Sequence, residues 1–566
     1  MRPLRRPVRP SRARRTVPLA LATLPAFLLP GRGAAQPPSL RPDVMGTGGA
    51  VSSDHVLASM AGADVLRRGG NAIDAAITMA GVLAVVRPHM NGVGGDNFML
   101  IRLAKTGEVH ALNGSGRSGS LATPAFFAGR GLSRVPGSGI LSVSVPGAVR
   151  GWEDALRRFG TRSLRQALQP AIRYAEQGFP VSTRLSLDIE AERAKVAADS
   201  GLARTFLRDG HAPAPGSILV QRELAATLRA IATGGAPALY RGALARRIAA
   251  FMQAEGGLLT AADLAAHAST WQAPIATTYL GKRVLAFPPN TQGTTFLQML
   301  NVAEQADLTA MGRRSADYVH VLAEGAKLAY ADRDRYIADP AFGAVPVERL
   351  LSKDYARELA GRIRLDTIAA TDAGDGTRDG NGDTVYLTVV DAEGNAVSMI
   401  QSLFASFGSG RMVPGTGIVL HNRGALYTLE AGHPNVVAPR KRPFHTLCPA
   451  MALNADGSLF ATFGSPGGDG QPQTLIQVLN NVLRFGMTPQ QAVEAPRWRV
   501  FGEGRLGVEP GLGEDVLAAL ARRGQRVQEQ PPSAEFGGAQ MIVVDPRSRA
   551  RLVGSDWRRE AYGLAW

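Results

Sequence analysis

The sequence has few of the residues from which metal centres and disulfide frameworks are built. Its 566 residues include one cysteine and nine histidines. One cysteine excludes an intramolecular disulfide and any zinc or iron–sulfur site held by several thiolates. The histidines are scattered and lack the spacing of metal ligands. We therefore expect neither a metal nor a cofactor.

Several common catalytic motifs are missing as well. The chain has no Gly-x-Ser-x-Gly elbow, no Walker loop and no His-Glu-x-x-His helix. The glycine-rich loops Gly92–Gly95 and Gly464–Gly468 lack the dinucleotide-binding spacing, and by themselves they indicate tight turns. A hydrolase built from this chain needs a different nucleophile. A threonine at a newly made chain terminus is one solution, because its α-amine, with an ordinary pKa of about 8, can serve as the base.

Half of the net positive charge lies at the amino end. Residues 1–36 contain eight arginines and no acidic residue, and their removal lowers the formal net charge from +16 to +8. A basic start, an apolar stretch over residues 17–29 and a small-residue exit at residues 33–36 predict an export signal. The pair Arg14-Arg15 allows a twin-arginine route as well as a Sec route. The mature protein is therefore expected in the periplasm or outside the cell.

The same basic segment has an alternative interpretation as an arm that binds nucleic acid. The order of its basic, apolar and small-residue parts favours export instead. The apolar stretch is shorter than the roughly 20 residues that a membrane span needs, and no second run of that length follows in the sequence. We expect no nucleic-acid partner and no stable membrane span.

Helix-like and strand-like patterns alternate from about residue 44 onward, which predicts an α/β fold. Residues 53–68 and 164–177 have the apolar spacing of amphipathic helices. Ala72–Val86 is almost wholly apolar, as expected of a buried helix. No internal repeat is present in the sequence, so the pattern does not describe a repeat array.

An acidic, glycine-rich segment interrupts this pattern at residues 366–383. Its five aspartates and four glycines predict an exposed flexible linker. The β-branched and aromatic segment Thr384–Val390 follows at once and predicts a buried strand, with a turn at Asp391–Asn395 and a returning strand at Ala396–Ile400. A linker that runs straight into a core hairpin is explained either by an ordinary domain boundary or by a processing site.

Several segments along the chain carry a family resemblance. They are Leu66–Ala76, Pro88–Gly95 with Phe98–Leu100, Ser144–Val149, Pro170–Ile172 with Gly178–Pro180, Asp383–Asp391 with Gly394–Val397, Lys441–Pro443, Gly464–Gly468 and Ala495–Arg497. Through them the chain, from about Gly46 to its carboxyl end, resembles the γ-glutamyltransferases. Those proteins are self-cleaving N-terminal-nucleophile hydrolases.

The resemblance implies a four-layer αββα fold, an α/β (α+β) architecture, that is made from one precursor. It implies self-cleavage between Asp383 and Thr384, which gives a large subunit of residues 37–383 and a small catalytic subunit of residues 384–566, held together as a heterodimer. The substrate implied is a small-molecule amide, whose acyl group passes to water or to an amine acceptor.

The resemblance also assigns catalytic roles to four residues. Thr384 becomes the nucleophile, and Ser402 stands where the family has a supporting threonine hydroxyl. Gly467 and Gly468 supply backbone N–H groups to an oxyanion hole, in which each donor is typically worth about 2.7–4 kcal/mol.

The positions that hold an α-amino acid in the family are altered in this sequence. Phe404, Arg423 and Leu426 stand where acceptors for the substrate ammonium are expected. An arginine cannot accept a hydrogen bond and repels an ammonium ion. The sequence therefore predicts retained chemistry with a pocket that is not built for a γ-glutamyl group.

The residues predicted to bind substrate in this altered pocket share an affinity for carboxylates or other anions. They are Arg423, His445 and Thr446, the last two in place of paired serines, together with Arg117 and Ser115, which lie near the position of the family's carboxylate-binding arginine. This pattern is closer to the oxamate amidohydrolase and cephalosporin-acylase-like branches of the family.

Four alternatives remain open at the level of sequence. The protein is a genuine γ-glutamyltransferase that recognises glutathione through a different pocket, or it is an unprocessed, non-catalytic binding protein. In the third alternative, Arg423 is a solvated or ion-paired surface residue rather than a binding residue. In the fourth, His445 is a hydrogen-bonded loop histidine.

Overall fold

The computed structural model describes residues 39–369 and 382–566. Within them, two seven-stranded antiparallel sheets lie between two groups of helices. The predicted export segment, residues 1–36, lies outside the described residues, as do residues 370–381 of the predicted linker.

The two sheets differ in which parts of the chain they use. Sheet 1 consists, in spatial order, of Val44–Gly46, Arg551–Ser555, Gln540–Val544, Leu459–Gly464, Ala450–Leu453, Lys282–Ala286 and Ile275–Tyr279. Sheet 2 consists of Tyr562–Ala565, Ala50–Ser53, Gly382–Val390, Ala396–Ala405, Asp96–Arg102, Val109–Gly114 and Thr270–Gln272. The predicted hairpin thus forms the third and fourth of the seven strands of sheet 2.

Apolar side chains from both sheets fill the layer between them. In the strand Gly382–Val390, Tyr386 points into this layer, whereas Val385 and Leu387 pack against helices on the other side of sheet 2. Because side chains alternate along a strand, Thr384 lies on the same side as Tyr386, facing sheet 1.

The helices outside sheet 2 share one apolar core with it. They are Val56–Arg67, Ala72–Val86, Ala148–Phe159, Leu164–Ala167, Gln169–Gln177, Thr183–Ala191, Arg193–Ala197, Ser200–Phe206, Arg222–Gly234, Ala236–Tyr240, Ala243–Ala254 and Ala261–Ala265. Ala72–Val86 is buried along its whole length, as its composition predicts.

The helices outside sheet 1 form a second core with that sheet. They are Gly293–Ala303, Leu308–Met311, Ala316–Tyr336, Gln471–Leu483, Pro489–Glu494 and Glu514–Arg522. Three further helices, Pro124–Ala128, Val347–Leu350 and Lys353–Gly361, pack in smaller apolar clusters. The order helix, sheet, sheet, helix is the predicted four-layer αββα fold.

Short elements complete the described chain. Small sheets are formed by Trp498–Val500, Arg505–Val508 and Arg526–Glu529, by Met412–Val413 with Ile418–Val419, and by Phe179–Pro180 with Ile218–Leu219. Turns of 3-10 helix lie at Ile140–Ser142, Arg423–Leu426, Gly468–Gly470, Gly502–Gly504, Ala534–Phe536 and Trp557–Arg559. Two of these turns, Arg423–Leu426 and Gly468–Gly470, contain residues that the sequence assigns to the site.

Two predicted helices have different limits in the structure. The helix predicted over residues 53–68 starts later, because Ser53 still belongs to a strand. The helix predicted over residues 164–177 is two helices that meet at Leu168. Pro170 is the physical reason, because proline lacks a backbone N–H and fits a helix only in its first turn.

The predicted linker, residues 366–383, is wrong at its carboxyl end. Residues 382–383 belong to the strand that was expected to begin at Thr384, because the pairing with the returning strand continues past the threonine. The start of the segment is also attached to the folded body. Ile368 N donates a hydrogen bond of 2.9 Å to Arg523 O, and Ala369 N donates one of 2.7 Å to the carboxylate of Glu324.

Candidate active site

The peptide bond between Asp383 and Thr384 lies within a strand, where the pairing register with the returning strand breaks. Before the break, Asp383 lies opposite Phe404, and after it, Thr384 lies opposite Ser402. Such a break leaves a residue out of the regular ladder and changes the local twist. The bond therefore has paired backbone on both sides, and the extra residue, Leu403, lies opposite it in the returning strand.

One hydroxyl connects the two sides of this bond. Thr384 Oγ1 donates to Ser402 Oγ at 3.1 Å, and Ser402 Oγ donates to the Asp383 carbonyl oxygen at 2.9 Å. Phe404 N donates to the same hydroxyl at 2.7 Å. Since a serine hydroxyl has one hydrogen and two acceptor sites, its hydrogen goes to the Asp383 carbonyl and it accepts from Thr384. The arrangement can pass a proton from Thr384 towards the carbonyl oxygen.

Two glycines follow a strand of sheet 1 that ends beside the strand Gly382–Val390 of sheet 2. That strand ends at Gly464, where the ring of Tyr386 leaves no room for a Cβ atom. The chain continues to Gly467 and Gly468, whose φ angles are 129° and 57°, in the region that favours glycine. Among the described residues, neither Gly467 N nor Gly468 N has a hydrogen-bond acceptor. Free backbone N–H groups of this kind can bind an oxyanion.

A buried carboxylate lies in the strand Asp96–Arg102, which pairs with the other side of the returning strand, in line with Thr384 and Ser402. Asp96 lies opposite Ser402, and its Oδ2 atom is 2.9 Å from His421 Nδ1. Arg423 Nε and His445 Nε2 are each 3.7 Å from the same oxygen. We call Asp96, His421, Arg423 and His445 the Asp96 cluster, and all four side chains are fully buried.

The members of the Asp96 cluster change one another's pKa values. Burial alone would raise the pKa of Asp96, but its three cationic or potentially cationic neighbours outweigh burial and hold that pKa well below its ordinary value. Burial lowers the pKa of Arg423 to about 10 despite the opposing charge of Asp96. Burial, reinforced by Arg423, lowers the pKa of His445 well below its ordinary value. At neutral pH the site therefore holds an anionic Asp96, a cationic Arg423 and a neutral His445.

Arg423 is enclosed and has unused hydrogen-bond donors. It is 0% exposed, and its guanidinium carbon lies 4.8 Å from the centre of the Phe404 ring. Among the described residues, Nε, Nη1 and Nη2 have no hydrogen-bond partner. Arg423 is therefore not a surface residue, although the ion pair that the sequence alternative allowed is present, with Asp96. A buried cation with free donors is suited to binding an anion, because charge-assisted hydrogen bonds are strong in such surroundings.

The neighbourhood of Leu426 is apolar. Leu426 packs with Ile337, Leu350 and Phe444, and Phe404 is partly buried against the same group. Aliphatic and aromatic side chains offer an ammonium ion no hydrogen-bond acceptor. Within the described residues, the apolar side chains around Leu426 thus provide no acceptor for a substrate α-amino group.

The remaining predicted binding residues are divided in space. Ser115 is buried beside the Asp96 cluster, since the N–H that follows it donates to Asp96 Oδ1 at 3.0 Å. Thr446 is also buried, and its hydroxyl has no partner among the described residues. Arg117 is half-buried; burial lowers the pKa of Arg442 to about 10, and the charge of Arg117 contributes to that shift. Arg117 makes no ion pair with Asp96 in the described part of the chain, so it lies outside the cluster.

His445 does not behave as the sequence alternative predicts. Its backbone N donates to Asn290 O at 2.8 Å, but within residues 39–369 and 382–566 neither ring nitrogen has a hydrogen-bond partner. The ring instead packs edge-on against Phe98, with centres 4.9 Å apart. The interpretation as a hydrogen-bonded loop histidine is therefore wrong for the side chain.

Sequence reasoning missed Asp96 and His421. Asp96 stands between two segments that carry the family resemblance, and His421 stands two residues before Arg423. A carboxylate at the start of a strand that is otherwise apolar was the available signal, because a buried carboxylate needs cationic partners. Three such partners come from loops that are distant in sequence.

A cleft of ≈ 670 Å³ opens beside the Asp383–Thr384 bond. Asp383 lies in its wall with Arg184, Arg505 and Arg559, while Thr384 is only 1% exposed. The uncleaved chain thus covers the hydroxyl. Across the described ranges, no three His, Cys, Asp or Glu side chains are placed to hold a metal ion, and no helix is long and apolar enough to cross a membrane.

Comparison with known proteins identifies relatives over almost the whole chain. The model of the family described as gamma-glutamyltranspeptidase matches residues 58–566. The chain is 44% identical over 491 residues to the glutathione hydrolase-like YwrD proenzyme of Bacillus subtilis (strain 168), and this match covers 86% of this chain and 92% of the relative. It is 38% identical over 530 residues to the oxamate amidohydrolase proenzyme of Klebsiella pneumoniae subsp. pneumoniae, and this match covers 90% of this chain and 98% of the relative.

Solved structures agree with the sequence relatives. The crystal structure of cephalosporin acylase from Bacillus halodurans superposes with a TM-score of 0.87 at 37% identity, covering 95% of this chain and 99% of that one. The predicted αββα fold is confirmed by this similarity. The matched length and the identities together show that the chain belongs to the γ-glutamyltranspeptidase family and is an N-terminal-nucleophile hydrolase.

Proposed function

We propose that the protein is a precursor that cleaves itself before Thr384 and then acts as an amidohydrolase or acyltransferase. The large subunit comprises residues 37–383, the small subunit comprises residues 384–566, and the two remain together. The observation that carries the proposal is the hydrogen-bond chain from Thr384 Oγ1 through Ser402 Oγ to the Asp383 carbonyl oxygen. These two hydrogen bonds link the proposed nucleophile, the Thr384 hydroxyl, to the Asp383 carbonyl group that the hydroxyl attacks.

Self-cleavage starts with attack of Thr384 Oγ1 on the Asp383 carbonyl carbon. The threonine proton passes to Ser402 as the serine proton passes to the carbonyl oxygen, along the hydrogen bonds described above. Collapse of the tetrahedral intermediate breaks the C–N bond, returns that proton to the departing amine and leaves an ester. Water then hydrolyses the ester, which gives an Asp383 carboxylate and a Thr384 with a free hydroxyl and a free amine.

Substrate turnover uses the same hydroxyl. The new α-amine of Thr384 removes the hydroxyl proton as the oxygen attacks the substrate amide, and the leaving amine takes that proton. Gly467 N and Gly468 N donate to the oxyanion, each worth about 2.7–4 kcal/mol. Water or an amine then releases the acyl group from Thr384.

The pocket favours an anionic acyl group without an α-ammonium. Arg423 supplies a cation with free donors, His445 is neutral and Leu426 is apolar. A substrate carboxylate satisfies the guanidinium, whereas an ammonium at the same place is repelled. Since Arg423 is fully enclosed in the uncleaved chain, cleavage must open this part of the site to substrate.

The reaction is tested with a denaturing gel of purified wild type and two variants. Wild type should appear as two fragments, Thr384→Ala as one chain, and Thr384→Ser as two fragments formed more slowly. A single chain for wild type after prolonged incubation contradicts the proposal and supports a non-catalytic binding protein.

The specificity is tested with two anilides that differ only in the α-ammonium. A glutaryl anilide and a γ-glutamyl anilide have the same chain length and the same terminal carboxylate. We expect kcat/KM to be at least about tenfold higher for the glutaryl compound, which corresponds to about 1.4 kcal/mol. The reverse order identifies a genuine γ-glutamyltransferase and rejects the claim that the pocket disfavours an α-ammonium.

We also propose that residues 1–36 direct export to the periplasm or beyond the cell. The support is the order of basic, apolar and small residues in the sequence. Expression of the full chain should give a protein outside the cytoplasm whose large subunit begins near residue 37. A large subunit that keeps residues 1–36 rejects this assignment.

A further inference from the structure

The side chain of Asp383 is held as firmly as its carbonyl. Its Oδ1 atom accepts from Arg559 Nη1 at 3.1 Å, and the pair lines the cleft beside the Asp383–Thr384 bond. The side chain of Arg559 is 5% exposed and that of Asp383 is 17% exposed. The pair is therefore largely shielded from water. A charge-assisted hydrogen bond is stronger in such shielded surroundings than on an open surface.

Arg559 projects from a rigid part of the small-subunit sequence. It ends the 3-10 turn Trp557–Arg559, which Asp556 caps and which is held by the ion pair of Asp556 with Arg497. Its second terminal nitrogen donates to Ala534 O at 3.0 Å. A Cβ atom at Gly538 would lie 2.9 Å from the Arg559 side chain, so the backbone there fits closely against it. The guanidinium is thus a fixed point rather than a mobile surface charge.

Two separate contacts therefore orient the residue that donates its carbonyl to cleavage. Ser402 Oγ holds the carbonyl oxygen at 2.9 Å, and Arg559 holds the carboxylate on the side of the cleft. With both ends fixed, rotation about the backbone of Asp383 would break one contact or the other. Holding reacting groups in one orientation accelerates an intramolecular step, because the orientation does not have to be found by chance.

We propose that Arg559 is a positioning residue for self-cleavage, which it promotes by binding the Asp383 side chain so that the scissile carbonyl stays on Ser402. The inference rests on the proposed self-cleavage but assigns Arg559 no contact with the reacting atoms. After cleavage the contact is no longer needed for chemistry, because Asp383 is then the end of the large subunit. The role is therefore specific to the precursor.

A double-mutant cycle tests the role. Precursor is produced as wild type, Arg559→Ala, Asp383→Ala and the double variant, and the half-time of cleavage is measured on denaturing gels. Arg559→Lys keeps the charge, and Arg505→Ala removes another arginine of the same cleft that, in the described part of the chain, has neither a hydrogen bond nor an ion pair with Asp383. The melting temperature of each change is measured in a Thr384→Ala background, in which no cleavage alters the protein.

Each single alanine variant should cleave about tenfold more slowly than wild type. The double variant should cleave no more slowly than the slower single variant, since both changes remove the same contact. Arg559→Lys should restore most of the rate, and Arg505→Ala should leave it unchanged. If Arg559→Ala does not fold, Asp383→Ala and Arg559→Lys still give the comparison.

Three results overturn the inference. They are an Arg559→Ala rate equal to wild type, a double variant slowed by the product of the single effects, and a loss of rate matched by Arg505→Ala. A wild-type chain that does not cleave would instead reject the proposed function. The two failures are therefore distinguishable in one set of gels.

Discussion

Replacing Ser402 with alanine tests the chemistry at the Asp383–Thr384 bond most sharply. The hydroxyl is fully buried, and its single hydrogen is donated to the Asp383 carbonyl oxygen at 2.9 Å. Loss of one donor to a developing oxyanion typically slows a reaction by about 10²–10³. The variant also removes the acceptor of the Thr384 hydroxyl, so we expect self-cleavage to be at least about a hundredfold slower.

The assay follows cleavage of freshly purified precursor over time on denaturing gels. Ser402→Thr keeps a hydroxyl and should cleave at close to the wild-type rate. Ser409→Ala is a matched control, because Ser409 is a buried serine whose hydroxyl donates to Leu420 O at 2.7 Å, away from the cleaved bond. It should lose about 1 kcal/mol of stability and no cleavage rate.

Stability has to be separated from chemistry in Ser402→Ala. The change leaves the partly buried Phe404 N–H without its 2.7 Å partner, which costs up to about 1–3 kcal/mol. Urea unfolding of the same change in a Thr384→Ala background measures that cost. A Ser402→Ala precursor that is folded and cleaves within about threefold of wild type would refute the proton path.

Three further predictions concern the buried charges and the glycine loop. Asp96→Asn should destabilise the Thr384→Ala precursor by about 3–5 kcal/mol in urea unfolding, since it leaves Arg423 buried without a counter-charge; an unchanged midpoint contradicts the cluster. Burial raises the pKa of Asp54 to about 7, above its ordinary value. The native state therefore binds more protons than the unfolded state between about pH 4 and 7. The free energy of unfolding should fall by on the order of 4 kcal/mol as pH rises through that window. Asp54→Asn should flatten this dependence, and parallel curves for the two proteins reject it. Gly467→Ala should slow amide hydrolysis by about a hundredfold, because a φ of 129° excludes alanine, whereas normal turnover would remove Gly467 from the oxyanion hole.

The hairpin could be predicted from sequence because its signals are local. The β-branched run from Thr384 and the turn at Asp391–Asn395 determine two strands and their connection without reference to the rest of the chain. The same locality misplaced the end of the linker. Asp and Gly at residues 382–383 have low strand propensity, and only the pairing with the returning strand overrides it.

The Asp96 cluster could not be derived in the same way. His421, Arg423 and His445 reach Asp96 from loops more than 300 residues further along the sequence. Composition does not encode that convergence, and an arginine between Asn and Gly is typical of a surface loop. The burial of Arg423 and the role of Asp96 therefore required the tertiary structure.

The central claim is that Thr384 becomes a chain terminus, and amino-terminal sequencing of the small fragment from purified wild type tests it most directly. The fragment should begin with Thr-Val-Tyr-Leu, the residues that start at position 384, and it should copurify with the larger fragment. The Thr384→Ala chain should give no such fragment. A fragment that begins at another residue, or wild type that remains a single chain, would contradict the account.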